Sequence, residues 1–173
     1  MKYHGFLIFI LLTSILISCE KKNPLEPGPV FFYFNSFETA GDTTDWHGVY
    51  SEMFVEEPAP NGGQKSLRIG GGCVQPTAWL IFSELERIRP FKLSCWGKVI
   101  EDGQVGMLTL YVMDGEEYGS SISIQIKGGE WTQYESDNLL VCPSGKHLRL
   151  EIMIGGFVGA TMHLDCLAVG MVE

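Results

Sequence analysis

Apolar and polar residues alternate along three stretches of the chain, which is the period of a β-strand with one buried face. In "HLRLEIMIGG" the apolar face consists of Leu148, Leu150, Ile152 and Ile154, opposite Arg149, Glu151 and Met153. In "GMLTLYVMDG" it consists of Leu108, Leu110 and Val112, opposite Met107, Thr109, Tyr111 and Met113. In "SSISIQIK" it consists of Ile122, Ile124 and Ile126, opposite Ser121, Ser123 and Gln125. These stretches predict strands that pack one face on a core.

Further stretches have the composition of strands: "VFFYFNSFE", "KSLRIGG", "TAWLIFSEL", "PFKLSCWGKVI", "EWTQYESDNLLV" and "TMHLDCLAVGMV". The segments between the strands, such as "NGG", "EDG", "DGEEYG", "KGGE" and "CPSGK", are rich in residues that tolerate turn dihedral angles. One helical candidate, "AWLIFSELERI", is rejected because its apolar residues occupy too many sides. Short strands separated by polar turns are typical of an all-β, antiparallel β-sandwich or barrel.

The opposite faces of the alternating strands have a mixed composition. Tyr111, Met113, Gln125, Arg149 and Glu151 bring together aromatic, apolar, amide and charged groups. This composition is typical of a shallow polar and aromatic binding surface, and it also occurs on ordinary exposed sheets. The sequence leaves both interpretations open.

The N-terminus contains an uncharged apolar run that ends shortly before a cysteine. After Lys2 the uncharged stretch "GFLIFILLTSILI" has the length of a signal-peptide apolar core, and it is too short to span a bilayer, which takes ~20 residues. The residues Leu16, Ile17 and Ser18 followed by Cys19 resemble a lipobox. The resemblance implies cleavage after Ser18 and acylation of Cys19, for example by palmitate, so that residues 1–18 are a lipoprotein signal peptide. The alternative is an ordinary signal peptide or an uncleaved anchor.

The segment 19–29 is predicted to be a flexible tether between the lipidated cysteine and a folded domain. The stretch "EKKNPLEPGPV" contains three prolines and a glycine, which disfavour both helix and strand. The folded domain is then predicted to span residues 30–173. The expected location is the bacterial cell envelope, at the outer membrane or cell surface rather than the inner membrane.

The charge of the chain excludes several kinds of partner. It has 12 basic and 21 acidic residues, and removing residues 1–18 takes away only Lys2. Nucleic acid binding needs clusters of Lys and Arg, which an acidic domain does not offer. Electrostatic docking on anionic lipid is disfavoured for the same reason, so attachment to a membrane is expected to depend on the anchor.

The domain keeps Cys73, Cys95, Cys142 and Cys166, whose pairing the sequence leaves open. An exported protein can keep disulfides, and four cysteines allow three pairings. Free thiols that pack as small apolar residues are the alternative. Their spacing does not match a zinc site.

Several short motifs follow one another along the chain: "FNSFE", "DWHGV", "GGQKSLRIGGG", "PTAWLIFSEL", "FKLSCWGKV", "EWTQYES", "LRLEIMIGG" and "HLDCLAV". Their order resembles that of the jelly-roll carbohydrate-binding modules of the galactose-binding-like superfamily, especially those appended to xylanases and glucanases. The resemblance covers nearly all of residues 30–173. It implies a jelly-roll β-sandwich that binds a polysaccharide or oligosaccharide, although the same fold also serves as a spacer or adhesion domain.

The resemblance also implies a structural calcium site. The acidic residue of the opening "FE" motif and the aspartate of the closing strand are Glu38 and Asp165, and the turn Gly63–Ser66 would add backbone carbonyls. Calcium binds six to eight hard oxygen ligands, which suits this set. The alternative is that both residues are ordinary strand-end acids.

A ligand platform is the second implied feature. Trp79 lies where related modules place an aromatic residue that stacks on a sugar ring, and Tyr111, Arg149 and Glu151 would supply polar partners. The sequence departs from the family pattern because few polar residues surround Trp79. Trp46, Trp96 and Trp131 are expected to pack in the domain, and the alternative for the loop residue Trp46 is a contact at the rim of the ligand site.

No arrangement of residues predicts an enzyme. There is no "GxSxG" motif, and the nearby acid pairs Glu84 with Glu86 and Glu116 with Glu117 are typical of solvated turns. His163 and Asp165 can share a strand face, and the histidine is expected to be a surface residue. The leading hypothesis is a lipid-anchored, non-catalytic carbohydrate-binding protein. The alternative is a structural or adhesion module that contacts another envelope protein.

Overall fold

The computed structural model of the protein describes residues 30–60, 62–71, 78–155 and 159–172. Over these residues the chain forms two antiparallel sheets with a shared core and contains no α-helix, which confirms the predicted all-β sandwich. Short 3₁₀ turns cover Ala40–Thr43 and Ser51–Met53. The signal peptide, Cys19 and the tether lie outside the described residues. No helix within the described part of the chain is long and apolar enough to cross a membrane.

Seven strands form the first sheet, called sheet A, and five form the second, called sheet B. The strands of sheet A are β1 (Val30–Asn35), β3 (Phe54–Val55), β4 (Ser66–Gly70), β6 (Arg89–Val99), β9 (Thr132–Glu135), β10 (Leu140–Cys142) and β12 (Thr161–Met171). Those of sheet B are β2 (Trp46–His47), β5 (Ala78–Ile81), β7 (Val105–Asp114), β8 (Glu117–Ile126) and β11 (His147–Gly155). Sheet B has the order β2-β5-β11-β7-β8, and β12 is flanked in sheet A by β6 on one side and by β4 and β1 on the other.

The alternation of the sequence correctly identifies the core face of sheet B. The predicted inward residues of β7, β8 and β11 are all buried: Leu108, Leu110, Val112, Ile122, Ile124, Ile126, Leu148, Leu150, Ile152 and Ile154. Sheet A supplies the facing layer, with Leu67, Ile69, Phe91, Leu93, Leu164 and Val169. Burying these side chains provides the main stabilising contribution, at roughly 25 cal/mol per Å² of apolar surface.

The strand boundaries differ from the sequence prediction in two ways. The stretch "EWTQYESDNLLV" forms two strands instead of one, because Ser136 interrupts it: its N–H donates to the Leu93 carbonyl at 2.9 Å and its hydroxyl accepts the Leu93 N–H at 3.1 Å. Strands β2 and β3 are only two residues long and have no alternation that a sequence pattern could reveal.

A β-bulge in strand β1 changes which aromatic residues face the core. The register with β12 shifts between Phe31 and Tyr33. As a result Phe32 and Tyr33 both pack on the core, while Phe31 and Phe34 are both about half exposed. The Tyr33 hydroxyl accepts the Trp46 Nε1–H at 2.8 Å, which ties β1 to the start of sheet B.

Of the tryptophans expected to pack in the domain, only Trp46 is a core residue. Its ring is 7% exposed, which confirms that prediction. Trp96 and Trp131 are half-buried and lie outside the core cluster, so they pack on the outer side of sheet A and not in the core. Trp96 alternates with the buried Cys95 and Gly97 and so points outward, and Trp131 lies over the Lys98 ammonium at 5.0 Å.

Three of the four domain cysteines are free thiols. Cys95 and Cys142 are buried and Cys166 is half-buried, while Cys73 lies outside the described residues. Burial raises the pKa of Cys95 to about 12, so its thiol stays protonated. These three residues therefore follow the free-thiol alternative.

Candidate functional site

The four residues predicted for the ligand platform lie on the outer face of sheet B. Trp79 in β5 pairs with Glu151 in β11, and Arg149 in β11 pairs with Tyr111 in β7. Directly paired residues of antiparallel strands project to the same side of the sheet. Trp79 is half-buried while its neighbours Ala78 and Leu80 are in the core, which confirms its predicted outward orientation.

Arg149 is the centre of this cluster. Its guanidinium carbon lies 5.3 Å from the ring centroid of Trp79 and 5.4 Å from that of Tyr118. Its Nε lies 2.6 Å from Glu151 Oε1, although the angle does not make a directed hydrogen bond and Nε is buried. The two side chains are only 19% and 11% exposed, so the ion pair is well shielded from water. Such a pair is strongly coupled, and removing one partner leaves a buried charge.

Tyr118 completes the polar contacts of Glu151. Its hydroxyl donates to Glu151 Oε1 at 2.7 Å, and its ring makes an edge-to-face contact with Tyr111 at 4.9 Å between centroids. Burial of the hydroxyl, together with the acceptor carboxylate, raises the pKa of Tyr118. The phenol therefore remains a hydrogen-bond donor at neutral pH.

Trp79 is held between groups from its two neighbouring strands. The His47 imidazole in β2 stacks on it with 5.1 Å between centroids and 9° between planes, and Arg149 approaches from β11. The indole is thus fixed in orientation before any ligand arrives. We define the platform as His47, Trp79, Tyr111, Tyr118, Arg149 and Glu151.

The rest of this face of sheet B carries hydroxyl and amide groups. Thr109 and Ser123 share a hydrogen bond of 3.0 Å, and Ser121, Ser123 and Gln125 are exposed on β8. Because the charges of Arg149 and Glu151 compensate each other, the face presents aromatic surface beside uncharged hydrogen-bonding groups. This combination suits a hydroxyl-rich ligand without charge.

Two sequence expectations about exposed residues are wrong. Met113 is only 2% exposed, although it pairs in regular register with His147 and lies outside the core cluster. His163 was expected at the surface, but it is 5% exposed and its Nδ1 lies 3.2 Å from Glu57 Oε2. Burial lowers the pKa of His163 and thereby favours its neutral form.

Glu38 and Asp165, the predicted calcium ligands, meet at one loop. Gln64 N–H donates to both oxygens of Glu38 at 3.0 and 2.9 Å, and Ala59 N–H donates to Asp165 Oδ2 at 2.9 Å. A Cβ atom on Gly62 would overlap Asp165 Oδ2, and one on Gly63 would overlap Glu38 Oε1. The two glycines therefore allow the loop to approach both carboxylates.

Local backbone features direct each acid towards this loop. Asn35 Oδ1 accepts the N–H of Phe37 at 2.7 Å, and Phe37 has a left-handed φ of 54°, which turns the chain before Glu38. On the other side, the register of β12 with β6 shifts after Asp165, and Cys166 has a φ of 46°. The Cys166 N–H donates to Asp165 Oδ1 at 2.7 Å.

This pair of carboxylates fits a hard cation in charge and ligand type. Asp165 is fully buried, and burial raises its pKa, as does the neighbouring Glu38 carboxylate. No Lys, Arg or His in the described part of the chain forms an ion pair with either acid. The described part of the chain contains no group of three His, Cys, Asp or Glu side chains that could hold a metal ion. Further calcium ligands would therefore have to be other oxygen atoms.

Sequence reasoning missed His47 and Tyr118. His47 belongs to a strand of two residues, and Tyr118 lies within the segment "DGEEYG", which the sequence pattern assigned to a turn, so neither lies in an alternating stretch. The motif "DWHGV" indicated only its tryptophan. Their positions depend on which strands are neighbours in sheet B.

The comparisons with known proteins give matches to solved structures alone. No family model matches the sequence, and no curated protein matches it significantly. The first similar structure comprises the N-terminal family 22 carbohydrate-binding and family 10 glycosidase modules of Clostridium thermocellum endo-1,4-β-D-xylanase 10B, complexed with xylohexaose. It is 18% identical with a TM-score of 0.59, and the match covers 83% of this chain and 29% of that chain.

Two further structures have the same fold. One is the family 22 xylan-binding domain of a Paenibacillus barcinonensis xylanase, at 18% identity and TM-score 0.57, with 84% of this chain and 96% of that chain covered. The other is the enzymatically active domain of tailspike protein 4 from bacteriophage CBA120, at 16% identity and TM-score 0.55. The match covers 79% of this chain and 20% of that chain. At these identities the likeness establishes the fold.

Proposed function

We propose that the protein is a non-catalytic module that binds an uncharged polysaccharide or oligosaccharide through the platform on sheet B. The observation that carries the proposal is the cluster around Arg149, in which Trp79, Tyr118 and Glu151 are held by one another before a ligand arrives. Aromatic rings match the C–H faces of pyranoses, and the surrounding hydroxyl groups match the sugar rim. The structural likeness to a xylan-binding domain supports this proposal.

A panel of polysaccharides in native affinity electrophoresis tests this function. We expect retardation by neutral plant or bacterial polysaccharides, with xylan among them, and none by polyuronates, because Arg149 is already neutralised by Glu151. Bovine serum albumin is the control for non-specific retardation. Equal migration with and without every polysaccharide, in the presence of calcium, would refute the proposal.

The alternative function is a structural or adhesion module that contacts another envelope protein. The exposed ring of Tyr118 on the outer face of sheet B suits a protein contact as well as a sugar, which is the reason to keep the alternative. Met113 is unsuitable as a surface probe because it is buried, whereas Tyr118 is 52% exposed. Adhesion would be favoured if the wild type captured one envelope protein and the Tyr118→Asp variant did not. The wild type should then also show no retardation by any polysaccharide.

We further propose that Cys19 is acylated and anchors the protein in the bacterial envelope. The basis is the lipobox-like sequence that precedes Cys19. Several acyl chains bind a bilayer firmly, since each buried methylene contributes ~0.8 kcal/mol. We expect Cys19→Ala to move the protein from the detergent phase to the aqueous phase in Triton X-114 partitioning. Unchanged partitioning of that variant would contradict the anchor.

A calcium ion held by Glu38 and Asp165 is the remaining proposal. Bound calcium would neutralise the two carboxylates and join the chain after β1 to strand β12 beside Ala59 and Gln64. The carbonyl oxygens of Gly63–Ser66 stay the proposed additional ligands.

A further inference from the structure

Strand β1 and the end of β12 expose a group of apolar side chains on the outer face of sheet A. We define the β1 patch as Phe31, Phe34 and Val172, which are 52%, 51% and 37% exposed. The rings of Phe31 and Phe34 lie 5.6 Å apart. A cluster of large apolar side chains on a surface indicates an interaction site, whereas isolated ones do not.

The bulge in β1 creates this patch. Regular alternation would place Phe31 and Phe34 on opposite faces, but the register shift between Phe31 and Tyr33 turns both outward. Their partners in β12 are Gly170 and Ala168, whose small side chains leave the rings uncovered. Beside them lies a groove of about 280 Å³, lined by Phe31, Lys92, Ser94, Gly170 and Val172 among others.

The patch lies where the domain joins the predicted tether. Val30 directly follows the segment 19–29, whose eleven residues reach at most ~40 Å when fully extended. A domain held by a lipid on Cys19 therefore stays within that distance of the bilayer. Tethering of this kind gives even a weak contact a high effective concentration.

We propose that the β1 patch docks the domain on the bilayer surface that carries its anchor; this rests on the lipid anchor proposed above. Aromatic and branched side chains enter the boundary between headgroups and acyl chains. The net charge of −9 opposes adsorption on anionic lipid, and Lys92 is paired with Glu135 beside the groove. The contact therefore depends on apolar insertion and suits a zwitterionic lipid surface.

Docking through sheet A determines how the domain is oriented. The core lies between the two sheets, so the β1 patch and the platform are on opposite outer faces of the sandwich. With the β1 patch against lipid, the platform faces away from the membrane. A surface-anchored protein then presents Trp79 and Tyr118 to extended polymers outside.

The test uses the full chain isolated from membranes and reconstituted into phosphatidylcholine vesicles, with or without brominated acyl chains, which quench nearby tryptophan. Phe34→Trp places a reporter in the β1 patch. Ile81→Trp is the matched control, because Ile81 is 48% exposed on the outer face of sheet B. We expect the fluorescence added by Phe34→Trp to be blue-shifted and to be lost in brominated vesicles. The fluorescence added by Ile81→Trp should be unchanged.

The outcomes separate docking from anchoring. Flotation of the protein with vesicles, combined with equal quenching of both reporters, overturns docking and leaves the anchor intact. Failure to float overturns the anchor, and docking with it. A blue-shifted but unquenched reporter at position 34 would show that protein covers the patch, either the tether or a second copy, and would also overturn lipid docking.

Discussion

Replacing Trp79 with alanine should abolish most carbohydrate binding while leaving the domain folded. A sugar stacks on this indole by displacing the exposed His47 from it. The loss of that stacking is expected to cost about 1–3 kcal/mol of binding free energy, a 5- to 150-fold loss of affinity, by analogy with base stacking on aromatic side chains. Trp79 is half-buried, so the free energy of unfolding should fall by less than the ~3–5 kcal/mol typical of a fully buried tryptophan. Titration with the polysaccharide best retained by the wild type, together with urea unfolding, measures both effects.

Trp131→Ala is the matched control for this variant. Trp131 is also half-buried and also packs against a cation, Lys98, but it lies on sheet A. The Trp131→Ala variant should lower the free energy of unfolding by about as much as Trp79→Ala does. Its affinity for the polysaccharide should be unchanged. Equal losses of affinity in the two variants would mean that the effect follows from destabilisation, and the platform would no longer be the binding site.

Removing calcium should lower the thermal stability of the domain. A ligand that binds only the folded state adds about 2.7 kcal/mol when its concentration is a hundred times its Kd, which corresponds to roughly 5–10 °C in Tm for a domain of this size. Differential scanning calorimetry in calcium and in excess chelator measures the shift. Identical midpoints in the two conditions would refute the calcium site.

A pair of variants locates the calcium effect. Asp165→Asn should remove the response to calcium, whereas Asp102→Asn, at an exposed turn, should keep it. The response should also depend on pH. Burial raises the pKa of Asp165 above its unfolded value, so without calcium its contribution to stability is lost as the pH rises through the folded pKa. The stabilisation by calcium, which requires the ionised carboxylate, should therefore grow over that range.

The platform illustrates how far local sequence patterns reach. Alternation with period two is a property of a single strand, and it correctly oriented Trp79 with Ile81 and Arg149 with Glu151. It also identified the core residues of β7, β8 and β11. Which polar residues meet across strands depends on the order of the strands in the sheet. Alternation along a single strand carries no information about that order. His47 and Tyr118 joined the platform for this reason.

Irregular backbone accounts for the remaining differences. A register shift of one residue reverses the face of every side chain that follows, so a bulge invalidates simple alternation. The bulge in β1 turned Phe31 and Phe34 outward together. Strand β1 has no glycine or proline that would reveal this bulge in the sequence.

The sequence by itself determined the all-β class, the core faces of the strands and the acidic surface, because each follows from residue type and period along one strand. The tertiary structure alone decided that Asp165 lies against Gly62 and Ala59, more than a hundred residues earlier, and that Glu38 lies against Gly63 and Gln64. It also placed the β1 patch opposite the platform. These juxtapositions arise when the two sheets pack on one core, since packing brings distant segments together according to strand order and register rather than sequence distance.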